Sequence, residues 1–92
     1  MDMKFKMMIA LVEDFLHNTP EDIFDFSITL EDVLVDDYEE MYSEQPEAVY
    51  YLSREVPEIC SEVEPGMSIE EIELFKEKLS AEFEKAKKLI VQ

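Results

Sequence analysis

Ser68-Ile69-Glu70-Glu71-Ile72-Glu73-Leu74-Phe75-Lys76-Glu77-Lys78-Leu79-Ser80-Ala81-Glu82-Phe83-Glu84-Lys85-Ala86-Lys87-Lys88-Leu89-Ile90 decides the fold. Ser68 followed three residues later by Glu71 is a capping box, in which each side chain satisfies a backbone N–H that the helix start leaves open. Behind it Ile69, Ile72, Phe75, Leu79, Phe83, Ala86 and Ile90 recur at steps of three and four, one apolar stripe of helical period. Lys85, Lys87 and Lys88 suit the negative end of the dipole. Glu84 and Lys88 form an i,i+4 pair worth about 0.2–0.5 kcal/mol. A helix with one wet and one dry face needs other helices to cover the dry one.

The rest of the chain supplies them. Glu64-Pro65-Gly66 ends the preceding segment, which opens at Gln45-Pro46-Glu47 and carries a stripe of Val49, Leu52, Val56, Ile59, Cys60 and Val63. Pro57 lies inside it and removes a backbone donor, so a kink or break is expected near Ser53–Val56. Upstream, Thr19-Pro20-Glu21-Asp22 reads as a helix start, with Thr as N-cap, Pro in the first turn and acids at the positive dipole end. Ile23, Phe26, Leu30, Val33, Leu34, Tyr38 and Met41 continue a stripe from there. Phe24, Ile28, Val35 and Tyr42 widen it, which makes this the helix expected to be most buried. Phe26-Ser27-Ile28-Thr29-Leu30 also alternates like a strand, but Glu31, Asp32 and the continuing stripe favour helix. A first helix over about 3–17 places Phe5, Met8, Ile9, Val12, Phe15 and Leu16 on one face. Four amphipathic helices joined by short connections predict an all-α, single-domain antiparallel four-helix bundle over residues 1–92.

Composition agrees with a folded domain. The 92 residues are 47% hydrophobic and 11% aromatic, richer in both than a disordered acidic tail. A single glycine argues against a hairpin-rich β fold and excludes a glycine-rich phosphate loop. The longest apolar run, Met7 to Val12, is too short to span a bilayer. Lys4 and Lys6 before that run superficially suggest a signal peptide, but no small-residue cleavage site follows and Glu13-Asp14 comes next, so the chain reads as cytoplasmic. The Met-rich start, Met1, Met3, Met7 and Met8, reads as core filling.

The residues that usually carry chemistry are scarce. One histidine, His17, and one cysteine, Cys60, exclude a zinc site built from such ligands and an internal disulfide. His17 reads as a helix C-terminal residue meeting the dipole, and Cys60, on the apolar stripe with no basic neighbour, as an inert thiol. Carboxylate pairs are too numerous for any one to mark a catalytic site, and neither an EF-hand loop nor a repeated Glu-x-x-His pattern occurs. No enzyme activity, cofactor or metal is expected.

What remains is charge. From Glu13 to Glu73 there are twenty acids and one base, Arg54; the other seven bases lie outside that stretch. Such crowding raises self-repulsion and disfavours binding to nucleic acid or an anionic membrane. On the second helix Asp25, Asp32, Asp36, Glu39 and Glu40 lie opposite the apolar stripe; on the third, Glu55, Glu58 and Glu62 share a face. Carboxylates spaced about 5–6 Å apart along a helix resemble a ladder of phosphates. Tyr38, Tyr42, Tyr50 and Tyr51 are interleaved, and tyrosine is a frequent interface anchor.

Phe15-Leu16-His17-Asn18-Thr19-Pro20-Glu21-Asp22-Ile23-Phe24 resembles the opening of colicin D-type immunity proteins and their relatives in contact-dependent growth inhibition and other bacterial toxin systems. Those chains begin with a short helix ending in Phe-Leu, a polar turn, and a helix with an early Phe. Glu39-Glu40-Met41-Tyr42-Ser43-Glu44-Gln45-Pro46-Glu47 is similar in style. So is Val63-Glu64-Pro65 followed by an acidic capped helix with a Leu/Lys-rich end. The likeness spans nearly the whole length as a pattern of elements. It implies a four-helix bundle, no catalysis, and tight binding to a cognate toxin domain; in the colicin D case that toxin is a tRNA-cleaving nuclease whose basic substrate site is masked by acidic residues. The resemblance carries no contact residue over individually.

Helical geometry therefore places the partner-binding residues. Asp32, Asp36, Glu39, Glu40, Glu55, Glu58 and Glu62 stand in for phosphates against arginine and lysine, and Tyr38, Tyr42 and Tyr51 serve as anchors. The expected partner is a basic nuclease domain, with the free chain a monomer. The alternatives are a nucleic-acid mimic directed at another DNA- or RNA-binding protein, and an acidic helical scaffold whose charge serves only solubility.

Overall fold

The computed structural model describes residues 3–20 and 23–90. Five helices follow one another: α1 (Met3–His17), α2 (Ile23–Asp36), α3 (Tyr38–Glu44), α4 (Pro46–Cys60) and α5 (Ile69–Lys87). Among the described residues all regular structure is helical. The Ser68–Glu71 capping box is formed in both directions, Glu71 N to Ser68 Oγ at 3.2 Å and Ser68 N to Glu71 Oε1 at 3.1 Å. Gly66, at φ 78°, makes the turn before it, a conformation glycine adopts without a Cβ penalty.

The second predicted segment divides in two. Asp37 sits at φ −104°, ψ 11°, outside helical geometry, and its carboxylate is 3.9 Å from the Lys4 ammonium on α1. Asp36-Asp37 is a pair of weak helix formers at the end of a helix whose last turn holds no base, where the dipole disfavours them. The apolar stripe continued across this point and hid the break. Glu21 and Asp22, the expected first-turn acids of α2, lie outside the described residues. The Thr19 hydroxyl donates to the Phe15 carbonyl at 3.1 Å and so helps close α1.

Two further expectations are corrected. Of the kink or break expected near Ser53–Val56, the break does not occur: the segment containing Pro57 is one helix. Pro57 is exposed and lies in the final turn, where the buried side chains of Val56, Ile59 and Cys60 hold the helix despite one missing donor. The most buried helix is α4, where Ala48, Val49, Leu52 and Val56 are all fully enclosed. On α2 only the Ile23, Phe26, Ser27, Leu30 and Leu34 line is buried, while Phe24, Ile28 and Val35 face outward. Helices α2, α3 and α5 surround α4.

Phe15 joins three helices. Its ring stacks on Phe26 of α2 at 3.8 Å between centroids and meets Phe75 of α5 edge-on at 5.8 Å. Gln45 is buried where α3 passes into α4, held extended (φ −140°, ψ 76°) by the following proline. Among the described residues no buried side-chain nitrogen or oxygen lacks a hydrogen-bond partner. At the same end of α3, in its last residue, the Glu44 carboxylate accepts the backbone N–H of Phe5 at 2.9 Å and of Lys4 at 3.4 Å. A helix start leaves these donors open, so a residue some forty positions away in the chain caps α1.

Candidate interaction surface

The acids of α2 and α3 are placed by the burial of their neighbours. With Ile23, Phe26, Leu30 and Leu34 turned to the core, Asp32 and Asp36, one turn apart, project into solvent. Burial of Met41 leaves Glu39 and Glu40 exposed in the first turn of α3. No lysine or arginine among the described residues pairs with Asp32, Asp36, Glu39 or Glu40. The last turns of α2, α3 and α4 contain no basic residue either. Two carboxylates one turn apart repel by only about 0.7 kcal/mol in water, so a folded domain tolerates several such contacts. Tyr38 and Tyr42 stack beside these acids, ring centroids 5.6 Å apart, with Tyr42 exposed and Tyr38 half-buried.

Tyr51, Glu55 and Glu58 lie on α4, whereas Glu62, expected on the same helical face, falls in the turn after the helix ends at Cys60. The Tyr51 hydroxyl donates to Glu82 on α5. That bond, with burial and the charges of Glu82 and Glu55, pushes the phenol up to about 12. Glu55 is half-buried one turn on, Glu58 is exposed, and Glu62 accepts from Lys78 of α5 at 2.8 Å. Ser53 and Pro57 instead face α2, where with Glu31, Leu34, Val35 and Tyr38 they line an open groove of about 370 Å³. Of the candidates, Tyr38 alone lines this groove. Arg54, exposed on α4, lies 5.8 Å from the centre of the Tyr50 ring.

The α1–α5 side carries its own counter-charge. Lys87 reaches Glu13 at 3.0 Å and Glu84 at 3.5 Å, and the Glu13 hydrogen bond chiefly raises its pKa. Glu84 therefore meets Lys87 on its own helix, in place of the predicted Lys88. Lys76 and Lys85 lie near Glu73 and Glu82, at 3.7 and 3.6 Å. The groove on this side mixes Glu13, Glu77 and Glu84 with Lys76, Lys87 and the exposed His17. Cys60 is buried, its thiol pushed up to about 12 by burial and then by the charge of Glu31. Among the described residues no group of three or more His, Cys, Asp or Glu side chains could hold a metal ion.

Sequence reasoning missed the outward apolar residues of α2. The apolar pattern places Phe24, Ile28 and Val35 beside the buried stripe, yet Val35 is 76% exposed. The available signal was angular: with Ile23 and Leu30 inward, positions 24, 28 and 35 fall about 100–140° away at 100° per residue, beyond the arc one neighbouring helix covers.

Comparison of the chain with protein-family models, curated proteins and solved structures finds no match. Among the described residues no helix is long and apolar enough to cross a membrane.

Proposed function

We propose that this chain is a binding protein that presents the acidic surface of α2–α3 to a cationic partner. In the reading drawn from its resemblance it is an immunity protein that masks the basic substrate site of a nuclease toxin in the cytoplasm, without catalysis of its own. The observation that carries the reading is an asymmetry of neutralisation. Lysines meet Glu13, Glu73, Glu82 and Glu84 on α1 and α5, whereas Asp32, Asp36, Glu39 and Glu40 stand exposed without an internal base. A charge surface kept only for solubility has no need to segregate its counter-ions in this way.

The mechanism is competitive. Carboxylates one turn apart offer paired acceptors to the arginine and lysine side chains that otherwise hold phosphates. The summed field speeds encounter toward about 10⁸–10⁹ M⁻¹s⁻¹ at low salt, and exposed aromatic side chains slow dissociation. In this reading α2 and α3 count as one broken helix of an antiparallel four-helix bundle. Like charge on every copy favours a free monomer.

The test is co-purification with the product of the adjacent gene, followed by an RNA-cleavage assay. A stoichiometric complex with a basic nuclease that loses activity is expected, and activity should return with the Asp36→Lys/Glu40→Lys double variant. An adjacent product that is neutral or acidic, or inhibition untouched by the reversal, would refute the reading. A basic nucleic-acid-binding partner without toxicity would move it to mimicry of nucleic acid.

A further inference from the structure

We propose that the groove between α2 and α4, with the outward apolar stripe of α2, is the docking slot for one amphipathic, cationic helical segment of the partner. The inference rests on the functional reading above and adds where, and by what chemistry, the partner is gripped. Phe24, Ile28 and Val35 are exposed at i, i+4 and i+11 of one helix, with Glu31 on the same line. From Phe24 to Val35 the stripe runs about 16 Å along the axis, three turns, a length that matches a short helix lying alongside. At its C-terminal end it opens into the groove of about 370 Å³, whose floor and walls include Leu34, Tyr38 and Pro57. Solvated isolated apolar residues are ordinary; a row of them leading into an apolar recess is a contact surface.

Charge decides the occupant. Acids flank the slot: Glu31 on its wall and Asp32 and Asp36 on the outer ridge of α2. None of these three pairs with a base among the described residues. A second copy of the chain, at net charge −16, would bring like charge against like. An anionic membrane would do the same. A segment with apolar side chains at helical spacing and lysine or arginine along both margins satisfies stripe, groove and flanking acids together. The apolar contacts then hold the complex and the acids align it, a division seen generally when charge sets approach and buried anchors set lifetime.

The test uses two synthetic peptides of equal positive charge. One carries leucines at i, i+4, i+7 and i+11; in the other serines replace them. Binding to the full chain is followed by fluorescence anisotropy. The leucine peptide is expected to bind more tightly, and Val35→Ser to weaken it about tenfold, the share of a valine moved from a buried contact back to water. The serine peptide should not sense Val35→Ser. Ile69→Ser, at a residue 80% exposed on α5, should change neither. Both positions face solvent, so both variants fold, which circular dichroism checks. If the two peptides bind alike and Val35→Ser is silent, the slot is refuted; Asp36→Lys/Glu40→Lys weakening both would then leave the acidic surface intact as the functional reading. If neither peptide binds, the slot is refuted as well.

Discussion

Removing the Glu44 side chain tests how the fold is closed. This carboxylate accepts two first-turn amides of α1 and comes from α3, so it serves both as helix cap and as tertiary tie. A hydrogen bond to a charged group contributes about 1.5–3 kcal/mol, and favourable interaction with the positive helix end about 0.3–1 kcal/mol. The contact to Phe5 N is short at 2.9 Å, that to Lys4 N is long at 3.4 Å, and the group is half-buried. Glu44→Ala should therefore cost about 2 kcal/mol, near the upper end for loss of an N-cap. In a domain of this size that lowers Tm by about 8–16 °C. Glu44→Gln keeps an acceptor and loses the charge, so it should fall between the two. The assay is thermal unfolding followed by circular dichroism, with Glu40→Ala as control. Glu40 is exposed without an internal base, so its removal relieves repulsion and should leave Tm unchanged or slightly higher. If Glu44→Ala melts with the parent or above it, as Glu40→Ala does, the tie contributes nothing beyond charge and the reasoning fails.

Three other outcomes are expected. The Tyr51 phenol has its folded-state value raised to about 12 by the bond to Glu82; its stabilising effect is complete below the unfolded value of about 10 and disappears as pH climbs through the folded one. Absorbance at 295 nm should show one late-titrating tyrosine coinciding with alkaline unfolding, and an unchanged high-pH limb in Tyr51→Phe would count against it. Cys60, buried and with its thiol pushed up to about 12, should resist a thiol-disulfide reagent at pH 8 until denaturant is added; rapid labelling of the folded chain would contradict its burial. Raising ionic strength from about 0.01 M to about 1 M shortens screening from about 30 Å to about 3 Å, which relieves repulsion at net charge −16 and should raise Tm. A falling Tm would mean that the surface ion pairs outweigh the repulsion.

Legibility differed along the chain for physical reasons. The ends of α1, α4 and α5 could be read because local chemistry sets them: a polar turn after His17, Pro46 at the start of α4, and the Ser68–Glu71 box. Interruption at Asp37 could not, because an apolar stripe reports which side is dry and not whether the backbone bends along it. Pro57 does not break α4, since a proline in a final turn removes only one bond. Among the candidate residues, the exposure of Asp32, Asp36, Glu39 and Glu40 followed from periodicity. The bond from Tyr51 to Glu82 joins α4 to α5 and that from Lys78 to Glu62 joins α5 to the turn after α4, and helical spacing within one segment carries no information about them. The cap of α1 by Glu44 was hidden for the same reason. The outward turn of Phe24, Ile28 and Val35 depends on which helix fills the space beside α2, a property of packing and not of pattern.

The central claim is that exposed carboxylates on α2 and α3 recognise a cationic protein surface. Its most direct test is the association rate with the purified partner, measured by stopped flow across a salt series for the parent and for Asp36→Lys/Glu40→Lys. The parent rate should be fast at low salt and fall steeply as salt rises, and the reversed variant should be slow with little salt dependence. Equal rates and equal salt slopes for the two proteins would contradict it.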